Sequence, residues 1–211
     1  MKINIVILII LFLYSCSSTE ERITTSTYIN GKVKQEKIFK NGKKDSLNYL
    51  LKQYNPNGTI EMVGEFKDGK ENGLFKWYYP NGNKKWIEKY RNGISVDTTY
   101  CYYESGDLKR KAITLNNSKI KQATEYYESG ETKIKSFINS GDYIDSLWSG
   151  YYKNGQIKES GKVSKGEKVG IWKFYNDEGI LLDSVDQTGM SKIVFDFEIE
   201  EIKEQNSKKG V

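Results

Sequence analysis

The sequence contains no histidine, and only two cysteines and two prolines in 211 residues. Without histidine, the commonest general base near neutral pH and the commonest zinc ligand are both missing. Two thiols, Cys16 and Cys101, cannot build a thiolate metal cluster. The serines have no histidine partner to activate them. Charge of neither sign dominates: 33 basic residues face 28 acidic ones, for a net charge of +5. The two signs read as interleaved along every strand, with no concentrated basic stripe, so no nucleic-acid partner is expected. Glycines in the connections are spaced Gly-x-x-x-Gly, not as a phosphate-cradling loop before a helix, and no cofactor is expected.

What the chain does have is a clock. Gly58, Gly82, Gly106 and Gly130 stand 24 residues apart; Gly155 comes one residue late, and Gly179 follows after another 24. Four places before them stand Tyr54, Tyr78, Tyr102, Tyr126, Tyr151 and Tyr175. A second glycine follows 11 places later at Gly69, Gly93, Gly141 and Gly166. A fixed period of this size marks a repeat array, not a globule around one scattered active site. Asn-Gly occurs seven times, and Ser-Gly fills equivalent places at 105–106, 129–130 and 140–141. Asn-Gly favours the tight hairpin turn whose two central residues both take positive φ. With 16 tyrosines, eight phenylalanines and four tryptophans, the composition is all-β.

The expected fold is therefore an elongated meander of antiparallel β-hairpins, about 24 residues per unit. Residues 23–202 form the array, beginning with a hairpin of Ile23 to Tyr28 and Lys32 to Phe39. Two strands per unit, each about 4.8 Å wide, make a ribbon about 60–70 Å long. In a return strand such as Leu74 to Tyr79, simple alternation puts Phe75, Trp77 and Tyr79 on one face and Leu74 and Tyr78 on the other. A bulge would change that parity. The middle units are worn: Asn117 replaces one connecting glycine, and Asp97, Lys121 and Asp145 replace the glycine that matches Gly73. Cys101, among Tyr100, Tyr102 and Tyr103, is expected as a small buried hydrophobe. Residues 193–202 alternate Phe195, Phe197 and Ile199 with Asp196, Glu198 and Glu200, as a closing strand with an acidic face would. Residues 203–211 form a tail.

The first 15 residues stand apart. Lys2 precedes an apolar run from Ile3 to Tyr14, broken only by Asn4. As a helix it would be about 18 Å long, short for a membrane span but suited to a secretory signal. It ends Leu13-Tyr14-Ser15-Cys16, which resembles the lipobox of bacterial lipoproteins. That resemblance implies cleavage before Cys16, acylation of its thiol, and a lipid anchor in a bacterial cell envelope, most simply the outer membrane. Cys101 would then have no partner for an internal disulfide. Residues 16–22, rich in Ser, Thr and Glu, read as a tether.

Segments such as Tyr78-Tyr79-Pro80-Asn81-Gly82-Asn83-Lys84-Lys85 and Lys165-Gly166-Glu167-Lys168-Val169-Gly170-Ile171-Trp172-Lys173-Phe174-Tyr175 resemble the MORN repeat and its variant form. They are similar in particular to the bacterial YwqK-family antitoxins, over about residues 28–185. The resemblance implies an extended antiparallel array that mediates protein contacts and, in some members, membrane association. It carries no catalytic residue across. The antitoxin label implies neutralising a toxin, and export would suit an immunity-like role better.

Recurring carboxylates, Glu104 and Glu128 in turns and Asp142 and Asp145 beside a connection, could form a glycosidase pair. Acidic residues are also what turns ordinarily contain. The better candidate surface is aromatic: Trp77, Tyr79, Trp86, Tyr103, Tyr127, Trp148, Tyr152 and Trp172. A thin sheet needs most of these for its core, leaving the rest for a protein, a peptide or a sugar chain. The expectation is a non-enzymatic, lipid-anchored binding or scaffold protein, with the toxin-sequestering role as the alternative.

Overall fold

The computed structural model describes residues 20–40, 47–114, 120–139, 146–165 and 167–188. Cys16, the 193–202 segment, Gly141 and Gly166 lie outside these. Fifteen strands run in chain order: β1 (Glu20–Thr27), β2 (Val33–Lys40), β3 (Tyr49–Tyr54), β4 (Ile60–Lys67), β5 (Lys70–Glu71), β6 (Gly73–Tyr78), β7 (Lys84–Arg91), β8 (Ile94–Tyr102), β9 (Leu108–Thr114), β10 (Ile120–Tyr126), β11 (Thr132–Asn139), β12 (Ser146–Tyr151), β13 (Ile157–Ser164), β14 (Glu167–Tyr175) and β15 (Leu181–Asp186). All pair antiparallel with their chain neighbours in one open meander, except that β5 pairs only with β4, leaving β6 to pair β4 directly. β1 starts at Glu20, so residues 20–22 of the expected tether are strand.

The recurring glycines make a different turn from the one expected at Asn30-Gly31 and its equivalents. At Gly82, the glycine N–H donates to the Tyr79 carbonyl (2.8 Å), and the Tyr79 N–H donates to the Asn83 carbonyl (2.8 Å). Only Gly82 has positive φ, +90°; Asn81 does not. This is a three-residue loop closed by a left-handed glycine. The same bond pair recurs at Gly31, Gly58, Gly106, Gly130, Gly155 and Gly179. The asparagine has another use: the Asn57, Asn81 and Asn154 side-chain oxygens each accept the backbone N–H two residues on. The two-residue turn with both φ positive occurs at Asp68-Gly69 and Asn92-Gly93, on the opposite margin of the sheet.

Each glycine loop is followed by a register shift. Trp77 pairs Trp86, but Tyr78 pairs Lys84, so β7 carries one extra residue. The same shift recurs at Tyr54, Tyr102, Tyr126, Tyr151 and Tyr175. Tyr79 therefore lies beyond the end of β6 and does not continue the face of Phe75 and Trp77.

Cross-strand partners share a face, and most of the buried apolar side chains share one. Leu51, Met62, Phe75, Trp77, Trp86 and Cys101 form one cluster; Trp148, Val163 and Trp172 form another. Cys101 is 6% exposed, as expected. Two large rings lie flat across glycines on the adjacent strand. A Cβ built on Gly64 would fall 2.2 Å from the Phe75 ring, and one on Gly161 would fall 2.4 Å from the Trp172 indole. Between the clusters the same face is lined by small or polar buried residues: Thr99, Ala112, Ala123 and Ser136, with Arg110 opposite Glu125.

Candidate functional site

The four tryptophans lie on the buried face of the sheet. Trp77, Trp86, Trp148 and Trp172 are 9%, 7%, 7% and 0% exposed, because a single-layer sheet buries one face only by laying its largest rings over it. Trp86 Nε1 donates to Glu88 and Trp172 Nε1 to the Lys162 carbonyl. Lys168 Nζ sits 4.1 Å from the Trp172 ring centroid and 2.8 Å from Glu159.

The four tyrosines of the candidate set are half-buried, and their hydroxyls are already used. Tyr79 donates to the Tyr102 carbonyl (2.9 Å), Tyr103 to that of Tyr126 (2.8 Å), Tyr127 to that of Tyr151 (2.8 Å) and Tyr152 to that of Tyr175 (2.9 Å). Tyr28 makes the matching bond to Tyr54 (2.6 Å). Each bond ties the end of one hairpin to the next. Asn55 interrupts the series; its side chain bonds Thr59 inside its own loop.

The other face of the sheet holds what sequence reading missed. There, the first tyrosine of each pair lies beside a lysine of the next strand. Tyr78, Lys85, Tyr102, Lys109, Tyr126, Lys133, Tyr151, Lys158 and Tyr175 alternate across β6 to β14. Each of these lysines is the extra residue of a register shift and faces away from Trp86, Arg110, Ile134 or Glu159, which follow it. A parallel row carries Lys76, Lys111, Lys135 and Lys173. Lys135 Nζ stands 5.4 Å from the Tyr151 ring centroid, which confirms the shared face. Strand acids near that row, Glu88, Glu125 and Glu159, are on the tryptophan face, opposite Phe75, Arg110 and Phe174, whereas Asp97, ion-paired with Lys89, and Glu167, opposite Ser164, share the tyrosine face nearer its other margin. Near the glycine loops the pleat thus sorts charges that look interleaved in sequence, and there the expected absence of a basic stripe is corrected. Burial raises the Tyr102 hydroxyl above its usual range, with Tyr100 and Cys101 adding to it.

A third row on this face carries apolar residues, separated on the intervening strands by Lys89, Gln122 and Lys162. Leu74, Ile113, Phe137, Leu147 and Ile171 are 36–66% exposed. It lies four residues along the strands from the tyrosine row, about 13 Å away at roughly 3.3 Å per residue. Leu74 and Ile171 have Phe75 and Trp172 as neighbours on the buried face, so alternation turns them outward.

Of the turn carboxylates, Glu104 and Glu128 are exposed at separate loop tips and converge on nothing. The Glu104 backbone carbonyl, not its side chain, accepts bonds from Asn81 and Asn83. Asp142 and Asp145 lie outside the described residues. No curated protein matches the chain. Residues 71–92, which span β6 and β7 with the Gly82 loop between them, match the MORN repeat variant.

Proposed function

We propose that the chain is a non-enzymatic binding and scaffold protein, held to a bacterial cell envelope through acylated Cys16, with protein partners docking along the sheet. The observation that carries this reading is the exposed apolar row Leu74–Ile113–Phe137–Leu147–Ile171, on a face with no second layer over it among the described residues. Exposed apolar residues set among polar ones, here Lys89, Gln122 and Lys162 on the intervening strands, suit protein contacts. The missing histidine and the repeat architecture agree with binding rather than catalysis. The lipobox-like Leu13 to Cys16 supports the anchor.

The anchor is tested by Cys16→Ser, expected to release the protein from membranes; unchanged membrane retention would refute it. The docking row is tested by affinity capture from the envelope with the wild type and a Phe137→Lys/Leu147→Lys variant. A partner lost from the variant alone supports the row. A partner held equally by both places the contact elsewhere. A single captured toxin, silenced on binding, would replace the scaffold reading with an immunity-like one.

A further inference from the structure

The tyrosine–lysine row is built differently from the apolar row. Its nine positions cross nine strands, about 38 Å at roughly 4.8 Å per strand. Tyrosine recurs every second strand, about 10 Å apart, and lysine fills the strands between. The rings of Tyr78, Tyr102, Tyr126 and Tyr175 are half-buried. Their hydroxyls make no hydrogen bond among the described residues, in contrast to those of Tyr79, Tyr103, Tyr127 and Tyr152. Lys135 Nζ approaches the Tyr151 ring from the neighbouring row, while Lys109 and Lys158 reach over the rings of Tyr103 and Tyr152.

We propose that this row binds a linear acidic polysaccharide, lying across the strands with sugar rings on the tyrosines and carboxylates at the lysines. Four features favour that ligand. Beside the row the charged strand residues on this face are lysines; its strand acids, Asp97, ion-paired with Lys89, and Glu167, stand toward the opposite margin, so a polyanion at the row meets little repulsion from the strands. The exposed carboxylates of Glu104, Glu128 and Asp177 sit at the loop tips, and they confine an anionic chain to the strand side of the row. The period of about 10 Å is commensurate with a disaccharide, so a chain that repeats can meet a surface that repeats. Half-buried rings whose hydroxyls have no partner among the described residues provide stacking area and hydrogen bonding together. A folded protein interface is depleted of lysine at its centre, and a sheet of many strands twists away from a flat bilayer.

The test uses the full-length chain in detergent and immobilised polygalacturonate, with poly-L-glutamate, neutral dextran and phosphatidylglycerol vesicles as comparison probes. Binding to polygalacturonate is expected, weakening as salt rises. Lys133→Gln/Lys158→Gln should weaken it about tenfold, as expected for losing two charge contacts. Tyr102→Ala/Tyr126→Ala should weaken it by a similar factor at unchanged charge. Leu147→Lys, in the apolar row, should leave it unreduced, which separates this site from the protein-docking reading. If the tyrosine variant loses its β circular dichroism, Tyr126→Ser alone and the lysine variant decide. Equal binding to poly-L-glutamate with no tyrosine dependence would reduce the row to an ion exchanger and overturn the proposal. Binding to vesicles alone, or to none of the probes, would overturn it too.

Discussion

The Tyr103 hydroxyl donates to the backbone carbonyl of Tyr126, 23 residues away and 2.8 Å distant. The accepting carbonyl sits where β10 meets its loop, so the bond fixes one hairpin end against the next. A partly buried bond of this kind contributes about 0.5–1.5 kcal/mol. Tyr103→Phe should lower urea-unfolding stability by about that much, and Tyr127→Phe likewise. Tyr78→Phe, which removes a hydroxyl without a partner among the described residues, should leave the midpoint unchanged. Equal effects from Tyr103 and Tyr78 would refute the ladder.

The ring-over-glycine contacts predict large local effects. Gly161→Ala puts a methyl where the Trp172 indole lies, and Gly64→Ala does the same under Phe75. Neither ring can move without leaving the core face, so each change should cost about 1–3 kcal/mol, the range for overpacking. Thermal melting measures the loss. Trp172, fully buried, should shift its fluorescence to the red in Gly161→Ala but not in Gly64→Ala, because the two contacts are in separate clusters.

Glycine at 24-residue spacing made the hairpin array legible, since a left-handed loop position leaves a fixed mark on the chain. Cys101 was legible from its aromatic neighbours. The face assignments were not. Each loop adds a residue at the tyrosine, so alternation counted through Tyr78 and Tyr79 fails there. That shift hid both the hydroxyl ladder and the lysine row, because Lys85 and Lys109 look unremarkable until the bulge turns them beside Tyr78 and Tyr102. Gly64 and Gly161 fall off the clock; their signal was a large ring 11 residues later, at Phe75 and Trp172. The tryptophans followed the expectation that a thin sheet needs most of its large aromatics for its core: all four are buried.

Asp97 occupies, with φ of +70°, the position that Gly73 and Gly170 fill in other units. A non-glycine residue in this region pays a steric cost of about 1 kcal/mol, somewhat less for Asp than for most. Its ion pair with Lys89 (3.3 Å) is exposed and offsets little. Asp97→Gly should therefore raise the unfolding free energy by about 0.5 kcal/mol, read as a higher urea midpoint. Asp97→Val should lower it clearly. A fall with glycine would mean that the Lys89 contact outweighs backbone strain.

Alkaline pH should loosen the first hairpins. The Tyr54 hydroxyl is pushed from 10.0 up to about 12, by burial first and then by its hydrogen bond to the Glu36 carboxylate and that group's charge; Arg22, 3.6 Å from Glu36, opposes the shift. Since the folded value lies above the unfolded one, the neutral phenol's contribution is intact below pH 10 and disappears as pH climbs toward 12. Urea midpoints measured from pH 8 to 12 should fall across that upper window in the wild type. Tyr54→Phe should begin lower, having lost the Glu36 bond, and should fall less steeply. Some slope will persist in the variant, because burial also raises Tyr28 and Tyr102. Parallel curves for the two proteins would mean that ionisation of Tyr54 is not what weakens the sheet there.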